Sequence, residues 1–180
     1  VIVVEADQAL YSADFRAPER LGQLLVQVAG RAGRGEQAGR VIIQTCQPEH
    51  PLLTTLMEGG YPALAQKLLQ ERRDAELPPY TAQAMLRADA LKPDPPRQWL
   101  EQARTLLRKQ VTQSQLEVQL MGPFPVMMER RAGRWRWQLC LQSLERSQIK
   151  QLLDLSLPAL RELPEGRQIR WRIDVDPYEL

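Results

Sequence analysis

Arg31 and Arg34 stand one helical turn apart, with Gln27 a turn before them and Gly30 and Gly33 interleaved. A guanidinium group is always charged and forks onto two oxygens, so a pair at this spacing suits phosphate binding. The glycines remove side-chain bulk where a ligand or a second protein surface would have to come close. In a helix over 18–34, at about 100° per residue, Leu21, Leu24, Leu25 and Val28 form one stripe. Gln23, Gln27, Gly30, Arg31 and Arg34 form another. The first stripe can face a core and the second a ligand. A plainer assignment fits the same residues, a solvated helix end: arginines in a last turn favour the helix dipole, and glycines commonly terminate helices. Spacing alone leaves both open.

A second set of arginines lies on strand-like segments. Trp135, Trp137, Leu139 and Leu141 alternate with Arg134, Arg136, Gln138, Cys140 and Gln142, and Ile169, Trp171, Ile173 and Val175 alternate with Arg170 and Arg172. The tryptophans run in phase with leucine and isoleucine, which favours a core role over base-stacking platforms. Arg134, Arg136, Arg170 and Arg172, with Arg130 and Arg131 nearby, would make the open sheet face basic, suited to phosphates more than to reading bases. Glu129 and Asp174 dilute that patch, and a merely soluble sheet face is the competing assignment.

Metal chemistry has little to work with. Cys46 and Cys140 are far apart and His50 is the single histidine, so no zinc site is expected within the chain. Both thiols are expected to be buried and reduced, in a cytoplasmic protein. At 180 residues, 43% hydrophobic and 26% charged, with a net charge of +2, the chain reads as one or two globular domains without a membrane span. No secretory or lipidation motif is visible. It opens at Val1 directly into an apolar run, which suggests the tail of a longer protein.

The elements that would position these residues fall into two groups. Segments 1–4 and 41–45 are apolar and β-branched, as in strands buried on both faces of a parallel sheet, and the arginine helix connects them. Leu52, Leu53 and Leu56 indicate a short helix; Tyr61, Leu64, Ala65, Leu68 and Leu69 indicate a longer amphipathic one. Leu77-Pro78-Pro79-Tyr80 breaks the pattern, and the domain boundary is placed just before it, giving domains 1–74 and 75–180. The second domain reads as strand 81–88, helix 95–111 and strand 116–121. After a Gly122-Pro123 turn come strand 126–130, a hairpin at 131–133 and strand 135–142. Helix 146–163, in which Pro158 predicts a kink, and strand 168–175 complete it. That order is a ferredoxin-like α+β sandwich with one extra strand.

Gln27-x-x-Gly30-Arg31-x-x-Arg34 resembles the sixth signature motif of superfamily 2 helicases. Its surroundings extend the likeness: Glu5-Ala6-Asp7, Ser12-Ala13-Asp14-Phe15-Arg16, Leu77-Pro78-Pro79-Tyr80, Gly133-Arg134-Trp135-Arg136-Trp137-Gln138 and Asp174-Val175-Asp176-Pro177. Together these segments resemble the C-terminal portion of the primosomal protein N′ (PriA) family of bacterial replication-restart helicases. The resemblance implies an α/β fold in which the end of a RecA-like helicase lobe precedes the ferredoxin-like domain. It also implies a 3′ to 5′ ATP-dependent DNA helicase that recognises stalled forks and restarts replication through primosome assembly.

Carried over residue by residue, Arg31 and Arg34 contact nucleotide phosphates, Arg34 as the arginine finger, and Gln27 orients the site beside Gly30. Arg134, Arg136, Arg170 and Arg172 contact DNA, forked or single-stranded. Arg146, with Lys150 where the family pattern has a glutamine, borders a pocket for the acidic C-terminal tip of the single-stranded DNA-binding protein. Other primosome proteins are implied partners. The phosphate loop, the magnesium-binding acidic motif and the cysteines for structural zinc are not in this chain and would lie upstream. ATP and magnesium are therefore implied for the longer protein, while this fragment alone is expected to be inactive. Two rivals are another superfamily 2 translocase, which would lack the second domain, and a free-standing nucleic-acid or protein-binding module with a vestigial arginine motif.

Overall fold

The computed structural model describes residues 1–12, 14–32, 40–167 and 169–178. These divide into two compact units, Val1–Ala75 and Glu76–Tyr178.

In the first unit two short strands, β1 (Ile2–Val3) and β2 (Ile42–Ile43), pair in parallel. Between them run a single helical turn α1 (Asp7–Leu10) and the helix α2 (Ala17–Ala32), and α3 (Pro51–Asp74) follows. Two residues tie the strand ends to their neighbours. Asp7 accepts hydrogen bonds from the Thr45 hydroxyl and, at 2.9 Å, from the Cys46 backbone N–H. These bonds favour its charged form and hold its carboxyl below the usual value. His50 Nδ1 accepts from the Leu52 N–H at 3.2 Å and caps α3, with Pro51 in the first turn. The two helices expected from the leucine spacing are both present within α3 and meet at Gly60, whose φ of 68° interrupts the helical backbone.

The core of this unit is small: Ala6, Leu10, Leu21, Leu25, Leu52, Leu53, Leu64 and Leu68. Helix α2 meets α3 at Gly22, where an added Cβ would lie 2.4 Å from Leu64 Cδ2, so glycine permits the close approach. The inward stripe is narrower than the sequence predicts. Leu24 is 47% exposed, because the buried stripe runs through Leu21, Gly22 and Leu25. Nor is β1 buried on both faces: Ile2 is 66% exposed, and Val1 and Val4 are comparably open. Among the described residues this sheet has two strands only, too few to cover their own faces.

The second unit runs β3 (Ala82–Ala90), α4 (Asp94–Gln113), β4 (Gln119–Arg131), β5 (Arg134–Ser143), α5 (Arg146–Arg161) and β6 (Arg170–Val175). Its four strands form one antiparallel sheet in the order β4-β5-β3-β6. The element order β-α-β-β-α-β is that of a ferredoxin-like unit. The extra strand is a misreading of Gly122-Pro123. The chain does not turn back there; it continues as one edge strand whose register with β5 shifts between Met121 and Phe124 and again between Pro125 and Arg130. An edge strand tolerates proline because its outward N–H has no ladder partner to lose. Gly122 has φ 107°, and an added Cβ would meet Phe124 Cδ1 at 2.8 Å and the Gln138 carbonyl at 3.1 Å.

Both helices bury one stripe against the sheet. Trp99, Leu100, Ala103 and Leu107 of α4 meet Leu139 and Leu141 of β5 and Ile149, Leu152 and Leu160 of α5 in one cluster. Trp99 is fully buried and stacks on Trp171, ring centroids 5.1 Å apart. Helix α5 carries Pro158 near its C-terminal end and is continuous to Arg161, so the proline does not end it. Among the described residues no helix is long and apolar enough to cross a membrane.

Candidate functional site

Helix α2 presents Gln27, Gly30 and Arg31 together on its exposed side, in its last turns. A Cβ at Gly30 would meet nothing within 4 Å. Among the described residues nothing crowds Gly30 and no ion pair engages Arg31. An exposed guanidinium beside unoccupied space can accept an anion without first breaking a bond. Arg34 and Gly33 lie outside the described residues. At the start of the same helix Arg72 pairs with Glu19 at 2.6 Å and its guanidinium lies 5.0 Å from the Phe15 ring centroid. Arg16 sits over the same ring at 4.6 Å, and burial lowers its affinity for its proton.

On the sheet, register places Arg134, Arg136, Gln138, Cys140 and Gln142 on one face with Gln83, Met85, Arg87 and Asp89 of β3 and Arg170, Arg172 and Asp174 of β6. The middle of that face is not open. Gln83, Met85, Arg87, Gln138, Cys140 and Gln142 are buried. Gln83 donates to Gln142 at 2.7 Å, and Gln142 donates to the Glu76 carbonyl at 3.0 Å. Arg87 lies 3.5 Å from Asp174.

The arginines are likewise unequal. Arg134 is not a free cation: its Nε donates to the Asp89 carboxylate and its Nη2 to the Asp89 carbonyl at 2.9 Å. Asp89 also stands opposite Arg136 on β5 and Arg170 on β6. One carboxylate thus answers three guanidinium groups, which leaves Arg136, Arg170 and Arg172 with the surplus charge. Trp137 and Trp171 pack on the core. Trp135 does not join it; it is half-buried, and the Arg130 guanidinium lies 5.6 Å from its ring centroid. The cysteine expectation divides: Cys140 is buried and Cys46 exposed, since Cys46 follows the end of β2 instead of lying inside a strand.

Arg146 and Lys150 share a cavity of about 480 Å³ at the N-terminus of α5. Ala82, Ile149, Leu153 and Val175 line its apolar part; Asp154 and Asp176 are also on its wall. Arg146 donates to the Asp176 carboxylate. A guanidinium at a helix N-terminus opposes the dipole, so Arg146 is not there to stabilise α5. Asp176 was not legible as its partner, because the pair joins a helix start to a strand end 30 residues later.

Sequence reasoning missed a further site. Arg97, Arg104 and Arg108 of α4 line a cavity of about 760 Å³ together with Phe124 and Trp137. Their spacing of seven and four residues marks one helix face and could have been seen. The aromatic side comes from strands that sequence cannot bring alongside.

Residues 73–178 match the family model described as the primosomal protein N C-terminal domain. Across its whole length the chain is 44% identical to a protein of Haemophilus influenzae named replication restart protein PriA. Similar proteins of the same name occur in Synechocystis, 34% identical over 99% of the chain, and in Bacillus subtilis, 30% identical over 98%. The chain spans 24%, 20% and 22% of these three relatives.

Proposed function

The chain belongs to the primosomal protein N′ C-terminal-domain family, and from that premise we propose that it is the C-terminal part of an ATP-dependent 3′ to 5′ DNA helicase. That helicase recognises stalled replication forks and restarts replication through primosome assembly. The observation that carries this reading is the end-to-end similarity, at 44% identity, to a protein named for replication restart.

In this reading the first unit is the trailing part of a RecA-like helicase lobe. The parallel pair β1 and β2 with α2 as its crossover is consistent with such a lobe. ATP hydrolysis leaves the protein mainly positioning and charge stabilisation to supply. The residues present fit half of a phosphate site: Gly30 leaves open space and Arg31 is exposed beside it. Gln27 orients that site and Arg34 supplies the finger. The phosphate loop, the magnesium ligands and the zinc cysteines belong to other segments of the longer protein, so this chain alone hydrolyses nothing.

The second unit contacts DNA phosphates through the surplus arginines Arg136, Arg170 and Arg172, with Arg134 held against Asp89 beside them. The cavity at Arg146 and Lys150 takes the acidic C-terminal tip of the single-stranded DNA-binding protein. Beside an apolar floor, Lys150 and Arg146, which is exposed although it donates to Asp176, suit a peptide that ends in a carboxylate. The decisive experiment is Arg34→Ala in the full-length protein. DNA-stimulated ATP turnover is expected to fall by about 10³-fold or more with the fold intact, and near-normal turnover would refute the assignment.

A further inference from the structure

The α4 cavity has an unusual inventory. Every nitrogen that it offers is a donor. Arg104 Nε and Trp137 Nε1 are buried without a hydrogen-bond partner, and such orphans are costly. Arg97 is only loosely held by Glu101, at 3.8 Å with both side chains exposed, which is worth little. Arg104 and Arg108 have no ion pair among the described residues. Phe124 and Trp137 are half-buried, so their rings are partly open to a ligand. Gly122 fixes this wall, since any Cβ there would strike the Phe124 ring. A ligand that fits must bring negative acceptors and a flat π surface together.

Single-stranded DNA brings both. Its phosphates accept from arginine, and an unstacked base has a face for an aromatic ring. Duplex DNA hides those faces. Arg97 and Arg108 are 11 residues apart, about 16 Å along the helix, long enough to follow several phosphates. We propose that this cavity is a second DNA contact, in which Trp137 and Phe124 hold an unstacked base of a single strand while Arg104 and Arg108 hold its flanking phosphates. The proposal rests on the DNA-binding reading of the chain but not on the arginines of the opposite sheet face.

The test titrates the 180-residue chain, by fluorescence anisotropy over a range of salt, with a labelled 12-nucleotide oligo(dT) and with an abasic strand carrying the same number of phosphates. The chain is expected to prefer oligo(dT) by about fivefold or more. Arg104→Ala with Arg108→Ala should weaken oligo(dT) binding about tenfold and flatten the log–log salt slope by roughly 1.4. Phe124→Ala should abolish the preference for bases and leave the slope unchanged. The comparison variant, Arg136→Ala with Arg170→Ala, should weaken both strands alike.

Unchanged affinity and slope in the Arg104/Arg108 variant, with binding lost in the Arg136/Arg170 variant, overturns the cavity and leaves the sheet face standing. Equal binding of the two strands by the unmodified chain also overturns it. Binding of neither strand overturns both. An acidic peptide that binds the unmodified chain but not the Arg104/Arg108 variant, with oligo(dT) unaffected by those substitutions, would reassign the cavity to a peptide. The arginines are exposed or half-exposed, so their removal tests the site without emptying the core.

Discussion

Asp89 shows how a single residue changes the meaning of a charged strand. Its carboxylate holds Arg134 directly and stands opposite Arg136 and Arg170, so four similar arginines in sequence become one fixed and three with surplus charge. Cys140 and Cys46 differ in the same way. Burial pushes the Cys140 thiol up to about 11, well above the usual 8.5 or so of a free thiol. At pH 8 almost none of it is thiolate, whereas Cys46 is open to solvent. Iodoacetamide at pH 8 should therefore label Cys46 alone, with Cys140 reacting only after denaturant is added; equal labelling of both in the native chain would contradict the burial. Neither distinction was legible in sequence. Each thiol lies in or near an apolar, strand-like run, and what separates them is that β2 ends at Ile43 whereas β5 runs on through Cys140.

At the scale of elements, most of the second unit was legible. Periodicity gave both helices, and alternation gave the faces of β5 and β6, because each depends on neighbours within a few positions. Gly122-Pro123 failed for the opposite reason. Glycine and proline signal a turn locally, yet whether the chain reverses depends on β5, which holds both halves of β4 in one ladder. The glycines of α2 carry a similar lesson. Gly22 is demanded by Leu64, while Gly30 is demanded by nothing within 4 Å. Gly22→Ala should lower the stability of the first unit by about 1–3 kcal/mol through overpacking, partly offset by helix propensity. Gly30→Ala should raise it by up to about 1 kcal/mol. Thermal melts of the two variants should shift in opposite directions, and a drop in both would mean that Gly30 has a packing role the fold does not show.

For the whole molecule, the two units carry cores of different size. Among the described residues, eight buried hydrophobics form the core of the first and twice that number the core of the second. The first also leaves Val1, Ile2, Val4 and Ile42 exposed. Hydrogen exchange should reflect this difference: amides of β3 and β5 are expected to be the slowest in the chain and those of β1 and β2 among the fastest. Uniform protection throughout would contradict two separately organised units. The strand order of the second unit has a consequence for synthesis. Strand β3 leaves the ribosome before any other strand of its sheet, yet it ends between β5 and β6, which emerge later. It cannot be paired on either side until most of the unit has been made, and the short β6, the last strand of the unit in sequence, seals its remaining edge. A nascent chain halted before Arg170 would carry a nine-residue strand with one edge unpaired, open to any neighbouring nascent chain.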